Sequence, residues 1–191
     1  MKPYYEVLNV PNLSVISKEI EENLDTLIPD KRFRRIGYGF NRVMPEDLLK
    51  ASPALKAYLD SIGLTKHLAP SALPWAEPGV SGAIHVDVHY HEGINLPVIG
   101  EGYGAWYYAE QKGGIKSAKM GSNDTSTKHG AYILCENATE IARVSNSEAF
   151  WANTQIPHNG VNTGTTPRVI LSLRFDTPLN LDKLVAIRSN L

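Results

Sequence analysis

Residues 83–91 read AIHVDVHYH, and this short stretch decides the expected fold. Side chains alternate between the two faces of an extended strand, so His85 and Asp87 share one face while the apolar residues around them share the other. The stretch therefore predicts a strand that buries an apolar face and presents an imidazole beside a carboxylate on its second face.

A second stretch, far downstream, supplies another histidine. Residues 155–161 read QIPHNGV and contain His158. Two histidines and one carboxylate leave coordination positions open on a metal ion, an arrangement typical of non-haem Fe(II) oxygenases. The predicted metal ligands, which are also the predicted catalytic residues, are His85, Asp87 and His158.

Arg168 follows His158 by ten residues and begins an apolar strand that reads RVILSLRF. The His85-x-Asp87 pair, His158 and Arg168 together resemble the 2-oxoglutarate/Fe(II)-dependent dioxygenase superfamily over roughly residues 80–176. The resemblance implies an enzyme that binds Fe(II) and 2-oxoglutarate, hydroxylates a small molecule or an amino-acid side chain, and releases succinate and CO2. It also implies that Arg168 pairs with the far carboxylate of 2-oxoglutarate. A further resemblance is to the aspartyl/asparaginyl hydroxylase branch, in the spacing of His158, Asn162, Arg168, Asp176 and Pro178. That branch often lacks the HxD carboxylate.

Strand alternation adds further candidates for binding the cosubstrate. A guanidinium that faces the interior needs an anionic partner, and arginine binds a carboxylate bidentately. Either Arg168 or Arg174 suits this role, because both lie on one face of the strand over 168–175. The same alternation points Asn95 inward from the strand over 93–98. The predicted cosubstrate-binding residues are Arg168, Asn95, Ser172 and Arg174.

Other uses of these residues stay open. The same three ligands can hold zinc and activate water in a hydrolase, which would need a nearby general base but no buried arginine. A non-catalytic jelly-roll binding protein is a third possibility. His89 and His91 continue the polar face and are expected at the mouth of the site, because Glu92-Gly93 indicates a turn. A cupin site led by His89-x-His91 is disfavoured, since Asn95 stands about where its Glu ligand should follow.

The periodicity along the chain predicts a mainly β protein with flanking helices. Residues 1–65 contain amphipathic helices, and residues 80–176 contain many short strands separated by turns, which is typical of a jelly roll. We therefore expect one domain over 1–191, a double-stranded β-helix of cupin-like type whose N-terminal helices pack on one sheet. Prolines and glycines predict a loop over 64–82, and the polar stretch 111–128 is a candidate lid.

The composition argues against several classes of partner. The 19 basic and 20 acidic residues give a net charge of -1, so no global field attracts nucleic acid. A single cysteine, Cys135, excludes an intrachain disulfide framework and fits a reducing cytosol. No signal peptide or apolar run long enough to span a membrane is present in the sequence. We expect a cytoplasmic enzyme that acts on a small-molecule or peptide substrate; the identity of that substrate and the oligomeric state are left open.

Overall fold

The computed structural model describes residues 3–29, 37–117 and 131–186. Within these ranges the strands are β1 (Tyr5–Leu8), β2 (Tyr38–Val43), β3 (Leu68–Ala76), β4 (His85–Asp87), β5 (Glu92–Ile99), β6 (Gly102–Ser117), β7 (Ala131–Ser145), β8 (Ala149–Asn153), β9 (His158–Asn162) and β10 (Arg168–Phe175). The helices are α1 (Leu13–Glu22), α2 (Leu24–Leu27), α3 (Pro45–Ala51), α4 (Pro53–Ser61) and α5 (Leu181–Ala186), with one 3-10 turn at Thr65–His67.

The strands form two antiparallel sheets. The larger sheet has the order β1-β8-β5-β10-β3-β2, and the smaller one has the order β4-β7-β6-β9, closed by a pair between β4 and β9. Apart from the consecutive pair β6 and β7, the chain passes back and forth between the sheets from β3 to β10, so most strands paired there are not consecutive in sequence. This interleaving is the double-stranded β-helix, or jelly roll, and it confirms the predicted fold class.

The helices cover the outer face of the larger sheet. Helix α1 packs on β5, where the Ser17 hydroxyl donates a hydrogen bond of 2.6 Å to the Pro97 carbonyl. Strand β10 buries Val169, Leu171, Leu173 and Phe175 in this helix-side core. The alternate residues of β10 consequently face the interior of the jelly roll, as the sequence predicted.

The first predicted helix is divided by Asn23. The apolar periodicity predicts one continuous helix over 14–28, but the structure has α1 and α2 separated at Asn23, whose side chain donates to the Glu19 carbonyl. An asparagine amide competes for backbone groups in this way and weakens a helix interior. Val15, predicted on the apolar face, is 45% exposed. The predicted starts at Pro45 and Ser52 are correct, and the Ser52 hydroxyl accepts a hydrogen bond from the Leu55 N–H.

The predicted loop over 64–82 is wrong in its first half, because β3 lies between β2 and β10 in the larger sheet. The pairing register of β3 with β10 shifts between Ser172 and Arg174, opposite Pro70. A bulge is where a sheet tolerates proline, which has no N–H to donate. There the Ser71 hydroxyl accepts a hydrogen bond of 3.2 Å from the Arg174 N–H. The bulge thus lets a proline-containing segment join the ladder.

The residues at 112–114 and 136–137, Lys-Gly-Gly and Glu-Asn, are typical of turns, but the structure has no chain reversal at either place. Strands β6 and β7 run through both as one long hairpin with shifts in register. Gly113 and Asn137 have φ values of 71° and 49°, so these residues make local irregularities rather than chain reversals. Of the candidate lid, residues 111–117 belong to β6 and 118–128 lie outside the described residues. No helix among the described residues is long and apolar enough to cross a membrane.

Candidate metal centre

The two histidines of the candidate site are opposite each other across two strands. His85 of β4 pairs with His158 of β9, and their ring centroids lie 4.5 Å apart. Asp87 follows two residues after His85 on the same face of β4. The structure therefore brings the three predicted ligands together, with one donor atom from each within 4.8 Å of the others.

Both imidazoles are oriented by the backbone. The Nδ1 atom of His85 lies 2.8 Å from the Ala83 carbonyl, and the Nδ1 atom of His158 lies 2.9 Å from the Ile156 carbonyl. A carbonyl only accepts, so each Nδ1 donates a hydrogen bond there, which leaves Nε2 as the ring nitrogen available to a metal. Burial, assisted by the neighbouring His85, lowers the pKa of His158 to about 4, and its imidazole is therefore neutral at neutral pH.

Asp87 is ionised despite its position. Burial would raise the pKa of its carboxyl, but the opposing effect of the Arg174 guanidinium and of His85 and His158 holds that pKa well below its usual range. The Nη2 atom of Arg174 lies 2.8 Å from Oδ2, while Oδ1 lies 3.5 Å from the His85 Nε2. Two imidazole nitrogens and one carboxylate oxygen are a donor set that fits a divalent transition metal.

The cluster opens into a cavity of about 120 Å³ between the two sheets. Asn95, Ser172, Arg168 and Arg174 line this cavity together with the three clustered residues. Asn95 and Ser172 are directly opposite each other on β5 and β10. The site residues selected from the sequence thus share one enclosed space.

Arg168 is buried in the cavity wall, and no described residue places a carboxylate beside it. Its side chain makes no hydrogen bond or ion pair within residues 3–29, 37–117 and 131–186, and its Nε is buried without a partner. Burial lowers the pKa of Arg168 to about 10. Its guanidinium lies over Gly160, where an added Cβ would be 2.6 Å from Nη1. Asn162 orders the turn over 163–167, just before Arg168, because its side chain donates to the Ala76 and Thr166 carbonyls, both at 2.9 Å.

Arg174 occupies a different part of the cavity. It lies six residues beyond Arg168 on the same strand, so their Cα atoms are about 20 Å apart. Arg174 already has an anionic partner in Asp87, whereas Arg168 has none in the part of the chain that the structure describes. The two arginines that the sequence left as alternatives are therefore in electrostatically different surroundings.

Tyr38 and Phe40 of β2 also line the cavity, although the sequence analysis did not select them. Burial raises the pKa of Tyr38 to about 12, an effect partly opposed by Arg168. Alternation along β2 places both aromatic residues on one face of that strand. That this face lines the cavity follows only from the place of β2 beside β3 in the larger sheet. The expected mouth residue His89 lines the cavity and is exposed. The polar and aromatic residues Lys66, His67, Trp75 and Glu77 of the segment 64–82 do not line it.

Comparisons with known proteins identify no family for this chain. No family model matches it, and no curated protein matches it. Solved structures with a related chain path include an oxalate decarboxylase (14% identity, TM-score 0.43, 78% of this chain and 29% of that one). Hazelnut (Corylus avellana) vicilin is 14% identical, with a TM-score of 0.39 over 73% of this chain and 28% of that one. Peruvianin-I, a cysteine peptidase from Thevetia peruviana latex, is 18% identical, with a TM-score of 0.38 over 75% of this chain and 64% of that one. The chain spans less than two thirds of each, and the jelly-roll fold rests on the strand pairing described above.

Proposed function

We propose that this protein is an Fe(II)- and 2-oxoglutarate-dependent oxygenase that hydroxylates a small molecule or an amino-acid side chain. The observation that carries the proposal is the position of Arg168 in the cavity that also holds His85, Asp87 and His158, where it is buried without an anionic partner from any described residue. A buried, unpaired guanidinium costs several kcal/mol, so a carboxylate ligand is its expected partner.

Each residue then has a definite task. The Nε2 atoms of His85 and His158 and one oxygen of Asp87 would hold the metal. Arg168 would bind the far carboxylate of 2-oxoglutarate, and the opposed pair Asn95 and Ser172 would donate hydrogen bonds along its length. Bound Fe(II) and 2-oxoglutarate would supply the oxygen chemistry, with succinate and CO2 as the coproducts.

The charges support Arg168 over Arg174 as the cosubstrate residue. Arg174 and Asp87 offset each other at 2.8 Å, which leaves Arg168 as the uncompensated charge in the cavity wall. A dianionic cosubstrate fits this distribution of charge, because one of its carboxylates would meet the metal and the other would meet Arg168.

A zinc hydrolase is less well supported. Apart from Asp87, the described residues that line the cavity include no Asp or Glu, so no carboxylate is available there as a general base. That function would also give Arg168 no partner. A purely structural role does not explain why three donor atoms lie within 4.8 Å of one another.

The test is anaerobic addition of Fe(II) with and without 2-oxoglutarate. We expect a weak visible charge-transfer band that requires both ligands in the wild type and in Arg143→Leu, whose arginine is exposed and remote from the cavity. His85→Ala should lose the band. Failure of the wild type to develop the band with both ligands present would contradict the proposed function.

A further inference from the structure

The two oxygens of the Asp87 carboxylate have different partners. Oδ2 accepts a hydrogen bond of 2.8 Å from the Arg174 Nη2, in an ion pair whose two side chains are only 14% and 17% exposed. Oδ1 lies on the other side, 3.5 Å from the His85 Nε2. Oδ1 is therefore the oxygen beside the His85 imidazole, while Arg174 engages Oδ2.

Arg174 is fixed in this position by its surroundings. Its N–H donates to the Ser71 hydroxyl at the bulge of β3, which sets where the side chain leaves β10. Gly93 on the neighbouring strand β5 leaves the room that the guanidinium occupies, since a Cβ there would clash with Nη1. The Tyr90 ring lies 5.9 Å from the guanidinium carbon.

A free carboxylate binds a metal through one oxygen or through both. Binding through both oxygens would take one of the positions that an oxygenase keeps open for its cosubstrate and oxygen. A guanidinium hydrogen bond to one oxygen removes that oxygen from competition, because charge-assisted bonds of this kind are short and strong.

We propose that Arg174 is a positioning residue that holds Asp87 as a single-oxygen metal ligand and so keeps one coordination position free. This inference rests on the metal-binding function proposed above. The role differs from that of a cosubstrate anchor, because Arg174 acts through Asp87 and not on the cosubstrate. Residues around a metal that orient its ligands commonly matter nearly as much as the ligands themselves.

The experiment uses Mn(II) as the probe and counts its exchangeable water ligands from the line broadening of its EPR signal in 17O-water. The variants are Arg174→Leu, Arg174→Met and Arg174→Lys, each at saturating Mn(II), with Arg143→Leu as the matched control at an exposed arginine. Unfolding temperatures of the metal-free proteins identify any variant that fails to fold. Arg174→Met, with its unbranched stem, serves if Arg174→Leu does not fold.

The apolar variants should lose one water ligand relative to the wild type, because the released Oδ2 joins the metal. Arg174→Lys should retain the wild-type number, since its ammonium still donates to Oδ2, and so should Arg143→Leu. A wild-type water count in the folded apolar variants would overturn the positioning role while leaving the metal site intact. Equal Mn(II) binding by wild type and His85→Ala would instead overturn the site and, with it, this inference.

Discussion

His85 and His158 are directly opposed residues of β4 and β9, with ring centroids 4.5 Å apart. Directly opposed residues of an antiparallel pair project from the same face, so both imidazoles enter the cavity. Their Nδ1 atoms are held by carbonyls two residues earlier in the chain. One short strand pair thus presents two donor nitrogens, and the residues just before each strand orient them.

Replacing His158 with alanine should abolish stabilisation by metal. A metal that binds only the folded wild type at about 100 times its dissociation constant adds about 2.7 kcal/mol to the free energy of unfolding. In a chain of this length that corresponds to a rise of about 5 to 10 °C in the unfolding temperature. Thermal unfolding with and without Mn(II) measures the effect. His67→Ala is the control, since that imidazole pairs with Asp176 away from the cavity, and it should retain the full shift.

Replacing Arg168 with leucine should weaken 2-oxoglutarate binding by about 2 to 4 kcal/mol, because the variant loses a charge-assisted, bidentate contact in a buried place. The affinity for Mn(II) should change little, since the three clustered residues are untouched. Calorimetric titration of both ligands into wild type and variant measures the two quantities separately. Unchanged cosubstrate affinity would remove Arg168 from this role.

The interior face of β10 could be predicted because alternation depends only on a regular strand. Arg168 and Arg174 lie six residues apart, and both line the cavity as their parity requires. The HxD spacing placed His85 and Asp87 on one face for the same reason. These predictions use local geometry alone.

The sequence predictions that were wrong concern features that depend on tertiary contacts. Pro70 and Pro74 indicate a loop locally, yet both belong to β3, where a bulge and the Ser71 hydroxyl accommodate Pro70. Gly113 likewise indicates a turn, but its strand continues through it. Tyr38 joins the site only because β2 pairs with β3. No local pattern specifies that pairing.

Tyr58 should make stability depend on pH in the alkaline range. Burial beneath the helices raises its pKa from 10 to about 12. Between these values the unfolded chain releases the phenolic proton while the folded chain keeps it, so the free energy of unfolding falls as the pH rises from 10 to 12. The contribution lost is about 2 to 3 kcal/mol. Urea unfolding of wild type and Tyr58→Phe should show their stability difference shifting by this amount in favour of the variant, and a constant difference would contradict the argument.

Gly160→Ala should impair cosubstrate binding without removing any charged group. An added Cβ would stand 2.6 Å from the Arg168 Nη1 and 3.4 Å from its Cζ, so the guanidinium must move. Because the far end of a long side chain shifts more easily than backbone, the protein should fold normally. The displaced guanidinium should bind 2-oxoglutarate about 5- to 150-fold more weakly, a loss of about 1 to 3 kcal/mol of charge-assisted hydrogen bonding.

The control for this variant is the glycine directly opposite. Gly104 of β6 pairs with Gly160 and also lines the cavity, but a Cβ there would meet Phe150 at an ordinary distance of 3.4 Å and no arginine. Gly104→Ala should therefore retain the wild-type dissociation constant in the same calorimetric titration. Equal weakening by both substitutions would mean that the cavity responds to lost volume and not to the position of Arg168. Weakening by Gly160→Ala alone would tie cosubstrate affinity to the place of that guanidinium.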